Sequence, residues 1–171
     1  MQKKIVCVLG GARTPIVVAN TKFKSLRPEN FGAKVLKFLR EKFSLAHVDE
    51  IICGNAVGTG GNIARLMTLI AGFDDSTAAL TVDRQCASGA ASISIGYAKI
   101  SCGLADVIIA GGAESSSLQP LRVYHKNDER FALTAEGIQG GYHTAQFSPD
   151  EFDALAMLKG AQRVADAENI S

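Results

Sequence analysis

At 171 residues the chain is long enough for one domain with a sizeable core, or for one domain and part of another. With 47% hydrophobic and 20% charged residues it does not read as disordered, and its longest charge-free runs, 51–64 and 85–98, are too short to span a bilayer. A formal net charge of +1 leaves no global basic field, so neither nucleic acid nor a membrane is expected as a partner, although small basic clusters are compatible with it.

The opening "MQKKIVCVLGGA" has an apolar run too brief for a signal peptide, and "KIVCVL" predicts a buried first strand ending at Gly10 and Gly11. A loop containing Pro15 follows. "RPENFGAKVLKFLREKF" predicts a helix that starts near Pro28 and Glu29, with Phe31, Val35, Phe38, Leu39 and Phe43 on one stripe. "VDEIICGNAV" predicts a strand over residues 50–53, and "NIARLMTLIAGF" a short apolar helix closed by Gly72. "ALTVDR" is a third strand, "QCASGAASISIGYAKISCG" a third helix, and "ADVIIAGGAES" a fourth strand, apolar as one covered on both faces should be. After Ser115 periodicity fades until "SPDEFDALAMLKGAQRVADAENIS". There a helix is expected with Ser148 or Asp150 as cap and Leu155, Leu158 and Val164 buried. Alternating strands and helices argue for an α/β fold with a largely parallel sheet.

Four cysteines, at 7, 53, 86 and 102, form no C-x-x-C pair, and histidines 47, 125 and 143 give no zinc spacing. No metal site is expected, and reduced thiols in a cytoplasmic protein fit better than disulfides. Cys86 differs from the others in its setting. It falls at the start of the third helix, where unpaired N–H groups and the macrodipole favour an anion such as a thiolate. The same N–H groups could hold the oxyanion formed when a thioester carbonyl is attacked. A packing role for Cys86 remains open on these residues alone. Cys7 and Cys53 lie in apolar strands and read as structural, and Cys102 lies at the unfavourable end of the helix. No G-x-G-x-x-G, Walker A or G-x-S-x-G motif is present, and spacing names no base for Cys86.

"ARTPI", "VDEIICGNAV", "NIAR", "VDRQCASGAASI", "GLADVIIAGGAESSS" and "MLKGAQRVADAENIS" occur in an order that resembles the thiolases over nearly the whole chain. The cysteine stretch and "ADVIIAGGAES" are the specific parts. The resemblance implies an acyl-CoA C-acyltransferase (acetyl-CoA acetyltransferase type) that carries out reversible Claisen condensation or thiolysis of 3-oxoacyl-CoA. Cys86 would be its acyl-thioester nucleophile, with its own N–H in an oxyanion hole. Coenzyme A thioesters would be substrates, with no permanently bound cofactor. The implied fold is the thiolase-like one, two βαβαβαββ halves in five αβαβα layers. Residues 1–120 would be most of the N-terminal half, with a mixed, mostly parallel sheet, and residues 121–171 the truncated beginning of the inserted loop domain that helps hold CoA. Leu158 and Gln162 depart from the family pattern. The family's later motifs, Asn-Glu-Ala-Phe, Gly-His-Pro and Cys-x-Gly, are absent from these residues. An acyltransferase completed by a missing C-terminal half, or by homo-oligomerisation, is therefore expected. The alternatives are an inactive thiolase-like scaffold and a related condensing enzyme of the ketoacyl synthase or hydroxymethylglutaryl-CoA synthase type.

Overall fold

The computed structural model describes residues 4–58, 61–131, 141–142, 149 and 156–170. They fall into two compact units, Met1–Pro120 and Leu121–Ser171.

In the first unit, helix α1 (Pro28–Lys42) opens on a proline, whose missing N–H costs nothing at that position. Glu29 in its first turn and Arg40 and Lys42 in its last complement the helix dipole. Strand β1 (Glu50–Gly54) follows, then α2 (Ile63–Ile70), β2 (Ala78–Val82), α3 (Ser88–Ser101) and β3 (Ile108–Gly112). Asn62 caps α2 by accepting a hydrogen bond from the Arg65 N–H at 3.1 Å. The predicted stop at Gly72 is observed, with a left-handed φ of +73° just beyond the helix.

The strands form one parallel sheet in the order β2-β1-β3, with Ile52 of β1 opposite Leu80 and Ala110. β1 is central and buried along its whole length. Its pleat separates two layers. Ile51 and Cys53 join Ala33 and Leu36 of α1 and Ile63, Ala64 and Met67 of α2 in the main core. The alternate residues meet α3: Glu50 pairs with Lys99, and Gly96 lies against Ile108 and Ala110. An α/β half with helices on both faces of a parallel sheet is thus observed, and the described strands are all parallel.

Several sequence expectations are corrected. Residues 4–9 form no strand; Ile5, Val8 and Leu9 are exposed, and Cys7 with them. The segment is held at its start by Lys4, whose N–H donates to Ser101 O and whose ammonium meets Asp106 at 2.5 Å. Apolar character made it read as a strand, but no described strand lies beside it to pair. β3 has helices on both faces as expected, with Ile109 on the main core and Ile108 and Ala110 against Gly96, but it is only half-buried because it is a sheet edge. In α1 the buried stripe runs through Gly32, Ala33 and Leu36, leaving Phe38 exposed. The small residues win that face because α1 and α2 approach closely, with Met67 lying against Gly32. Helix α3 starts three residues after Gln85, and only one of its faces is buried; Ile93 and Tyr97 face outward.

In the second unit Arg122 and Tyr142 exchange both backbone hydrogen bonds, at 2.9 and 2.7 Å. Tyr142 stacks on Tyr124 and the Arg130 guanidinium lies over the Tyr124 ring. Helix α4 (Ala156–Glu168) buries none of its residues, so Leu158 and Val164 are exposed against expectation. Ser148, Asp150 and Leu155 lie outside the described residues.

Two glycine substitutions should act in opposite directions. A Cβ at Gly54 would lie 2.4 Å from the Ser88 carbonyl carbon and 2.5 Å from the Gly89 nitrogen, both backbone atoms. Gly54→Ala should therefore cost about 2–3 kcal/mol. Gly160 in α4 has nothing within 4 Å, and Gly160→Ala should stabilise that helix by about 0.5–1 kcal/mol. Denaturant unfolding followed by circular dichroism checks both signs.

Candidate functional site

The carboxyl ends of the three strands converge where a parallel sheet ordinarily offers its crevice. Asn55, the residue after β1, ties all three together. Its N–H donates to Val82 O of β2 at 3.0 Å, and its Nδ2 donates to Ala113 O beyond β3 at 2.8 Å and to Glu114 Oε1 at 2.9 Å. Glu114 in turn accepts the N–H groups of Ala56 and Val57 on Oε2, at 2.8 and 2.9 Å, and that of Gly58 on Oε1 at 3.3 Å. Sequence reading missed both residues as site members. The signal was present, since a polar pair directly after two apolar strands has few reasons to be there except hydrogen bonding.

Cys86 stands on the short turn between β2 and α3. Asp83 accepts the Gln85 N–H at 2.9 Å, and Gln85 adopts a left-handed φ of +52°. For a non-glycine residue that conformation costs roughly 1–2 kcal/mol, so the surroundings must enforce it. Ser88, which is buried, does so: its Oγ donates to Gln85 O at 2.6 Å and accepts the Arg84 N–H at 2.8 Å. The turn leaves Cys86 exposed, two residues ahead of α3. The sequence places it at or beside the first turn of the helix, and it stands just before that turn. Ser88 closes the Gln85 turn instead of extending the helix backward. Among the described residues no hydrogen-bond acceptor meets the Cys86 N–H. Such a donor beside an exposed thiol can receive a developing oxyanion.

The helix is brought to this spot by close backbone contact. Gly54 lies against Ser88 and Gly89, and Gly112 against Gly54 O and Gly89 Cα. Ser92 adds an anchor, with its Oγ 2.7 Å from both Gly89 O and Gly111 O. These contacts account for the small residues on the buried face of α3, among them Ser88, Ala91, Ser92 and Gly96.

The remaining cysteines are separated as expected in two cases. Cys53 is buried on the α1–α2 side, where loss of solvent pushes its thiol up to about 11. Cys102 is the C-cap of α3. No described histidine of the first unit approaches Cys86: His47 pairs with Asp49 at 3.0 Å, just ahead of the amino end of β1. The Asp49 carboxyl is held below the usual range by the N–H groups of Val107 and Asp106, and further by His47. His125 belongs to the second unit, and His143 lies outside the described residues. Among the described residues no group of three His, Cys, Asp or Glu side chains is placed to hold a metal ion, and no helix is long and apolar enough to cross a membrane.

The structure thus places an exposed cysteine on the turn ahead of α3, at the carboxyl end of a parallel sheet. Residues 6–171 match the family model "Thiolase, N-terminal domain". The chain belongs to the thiolase family. It is 32% identical over 166 residues to the putative acetyl-CoA C-acetyltransferase VraB of Staphylococcus aureus (strain COL), a match covering 96% of this chain and 42% of that protein. VraB of Staphylococcus haemolyticus (strain JCSC1435) is likewise 32% identical, over 98% of this chain and 43% of its own. The chain thus spans about two fifths of the length of the curated relatives it matches. The crystal structure of the Bacillus anthracis acetyl-CoA acetyltransferase superposes with a TM-score of 0.71 at 22% identity, over 90% of this chain and 39% of that one, and shows the same fold.

The raised Cys53 pKa gives a signed pH dependence. The folded thiol stays protonated up to about 11 while the unfolded one ionises near 9.0. Its contribution is therefore fully present below pH 9 and lost as pH rises toward 11, by about 2–3 kcal/mol in all. Stability measured from pH 8 to 11 should show that alkaline limb, and Cys53→Ala should flatten it.

Proposed function

We propose that this chain carries the acyl-accepting half of a thiolase reaction, with Cys86 as nucleophile. The Cys86 sulfur attacks the carbonyl carbon of an acyl-CoA, and the carbonyl oxygen takes negative charge facing the Cys86 N–H. Collapse breaks the bond to the CoA sulfur, which leaves as the thiol with the proton that the Cys86 thiol gave up, and the acyl group remains as a Cys86 thioester. The observation that carries this reading is the strained Gln85 turn, which presents an exposed thiol at the carboxyl end of the sheet. The names of the relatives support an acetyl group as the unit transferred.

Carbon–carbon bond formation or thiolysis of 3-oxoacyl-CoA needs a further acid/base, which the sequence motifs of this chain do not supply. We assign that step to a second half of the family type, or a second copy, covering the exposed Ile93 and Tyr97 face of α3. Residues 121–171 are proposed as the beginning of the CoA-holding loop domain, and a cytoplasmic setting suits the free thiols. A second reading, a thiolase-like scaffold without chemistry, is favoured by the lack of any described histidine of the first unit beside Cys86.

Intact mass after incubation with acetyl-CoA separates the two. One acetyl group on the wild-type chain and none on Cys86→Ala or Cys86→Ser is expected, with folding nearly unchanged. Cys102→Ala should label as the wild type does. A wild-type chain without an adduct would favour the scaffold.

A further inference from the structure

Glu114 gathers four donors on one carboxylate: Asn55 Nδ2 and the N–H groups of Ala56, Val57 and Gly58. Three successive backbone amides are thereby turned toward a single side chain, which fixes the course of the loop leaving β1. An ionised acceptor strengthens such bonds. The carboxylate is exposed, so its bonds compete with water and add little to global stability. Its effect lies in geometry. The loop it holds begins one residue after Gly54, whose backbone touches Ser88 and Gly89 at the head of α3. Asn55 also grips Val82, the last residue of β2 before the turn that ends in Cys86. The loop and the thiol are therefore fixed to the same strand ends.

We propose that Glu114 is a positioning residue for acyl transfer: through the 55–58 loop it builds the wall against which an acyl thioester is oriented toward Cys86. This rests on the acyl-transfer reading given above. An acyl-CoA is large and must lie along a surface for its carbonyl to meet the sulfur, whereas a small alkylating reagent needs no wall. The two reactions at one atom should consequently separate when the loop is released.

The test uses the full chain as wild type, Glu114→Gln and Glu114→Ala, with acetyl-CoA and iodoacetamide as separate probes and peptide mapping of all four cysteines. Buried Cys53 serves as an internal monitor of folding, since it reacts only if the core opens. In Glu114→Ala, acetyl transfer to Cys86 should fall about tenfold. Its alkylation by iodoacetamide should change less than twofold, with Cys53 still protected. Glu114→Gln keeps one carbonyl acceptor and should fall between. Exchange of the Ala56 and Val57 amide protons should quicken in the same order. Acetyl transfer at the wild-type rate in Glu114→Ala would overturn the proposal. Equal losses in both reactions would also overturn it, as would Cys53 becoming reactive in both variants; either result would make Glu114 a residue of the fold alone. A wild-type chain that takes up no acetyl group would instead overturn the acyl-transfer reading on which this one rests, and that outcome is read before any variant is compared.

Discussion

The contact between Gly54 and the head of α3 governs the functional end of this molecule. Two backbone segments, the end of β1 and the Ser88–Gly89 peptide, lie closer than any side chain would allow. Because the helix begins there, the turn before it must reverse direction within Asp83, Arg84, Gln85 and Cys86. That tight reversal forces Gln85 into a left-handed conformation and sets the thiol outward. Gly112 and Ser92 extend the same close packing to β3. The small residues of α3 weaken the helix by intrinsic propensity, and close approach to the sheet offsets the loss.

Beneath that layer the core is conventional and separately built. Ile51 and Cys53 point into the space between the sheet and α1–α2, where Leu36, Val48, Ile63 and Met67 complete the packing. Glu50 and Lys99 hold the amino end of β1 to α3, far along the strand from Cys86. Asp49, accepting from the Asp106 and Val107 amides, ties the start of β1 to the approach to β3. One end of the sheet is thus locked by charged groups and the other by Asn55 and Glu114.

Much of this was legible in the residues. The helical start at Pro28, the apolar run at 50–53 and the stop at Gly72 are local signals, and the elements formed where they indicated. Cys86 was legible as an exception because it follows a strand and precedes a run of small residues. What was not legible depended on tertiary partners. Residues 4–9 are apolar enough for a strand, but a strand exists only beside another. Phe38 lost its core place to Gly32 because helix spacing, not hydrophobicity, decided that face. Leu158 and Val164 follow an amphipathic pattern, yet both are exposed, because periodicity alone does not say whether a face is covered. The role of Glu114 required knowing that residues far apart in the chain end at the same edge of the sheet.

The outer edge of β3 bears on how the chain behaves in bulk. Its backbone N–H and C=O groups on that side have no strand partner among the described residues, and exposed Ile5, Val8 and Leu9 lie in a segment tethered near the start of the same strand. An unpaired strand edge is a template for strand addition. A strand laid along that edge would be held by main-chain hydrogen bonds alone, since the Ile-Ile-Ala-Gly-Gly sequence of β3 carries no charge to oppose it.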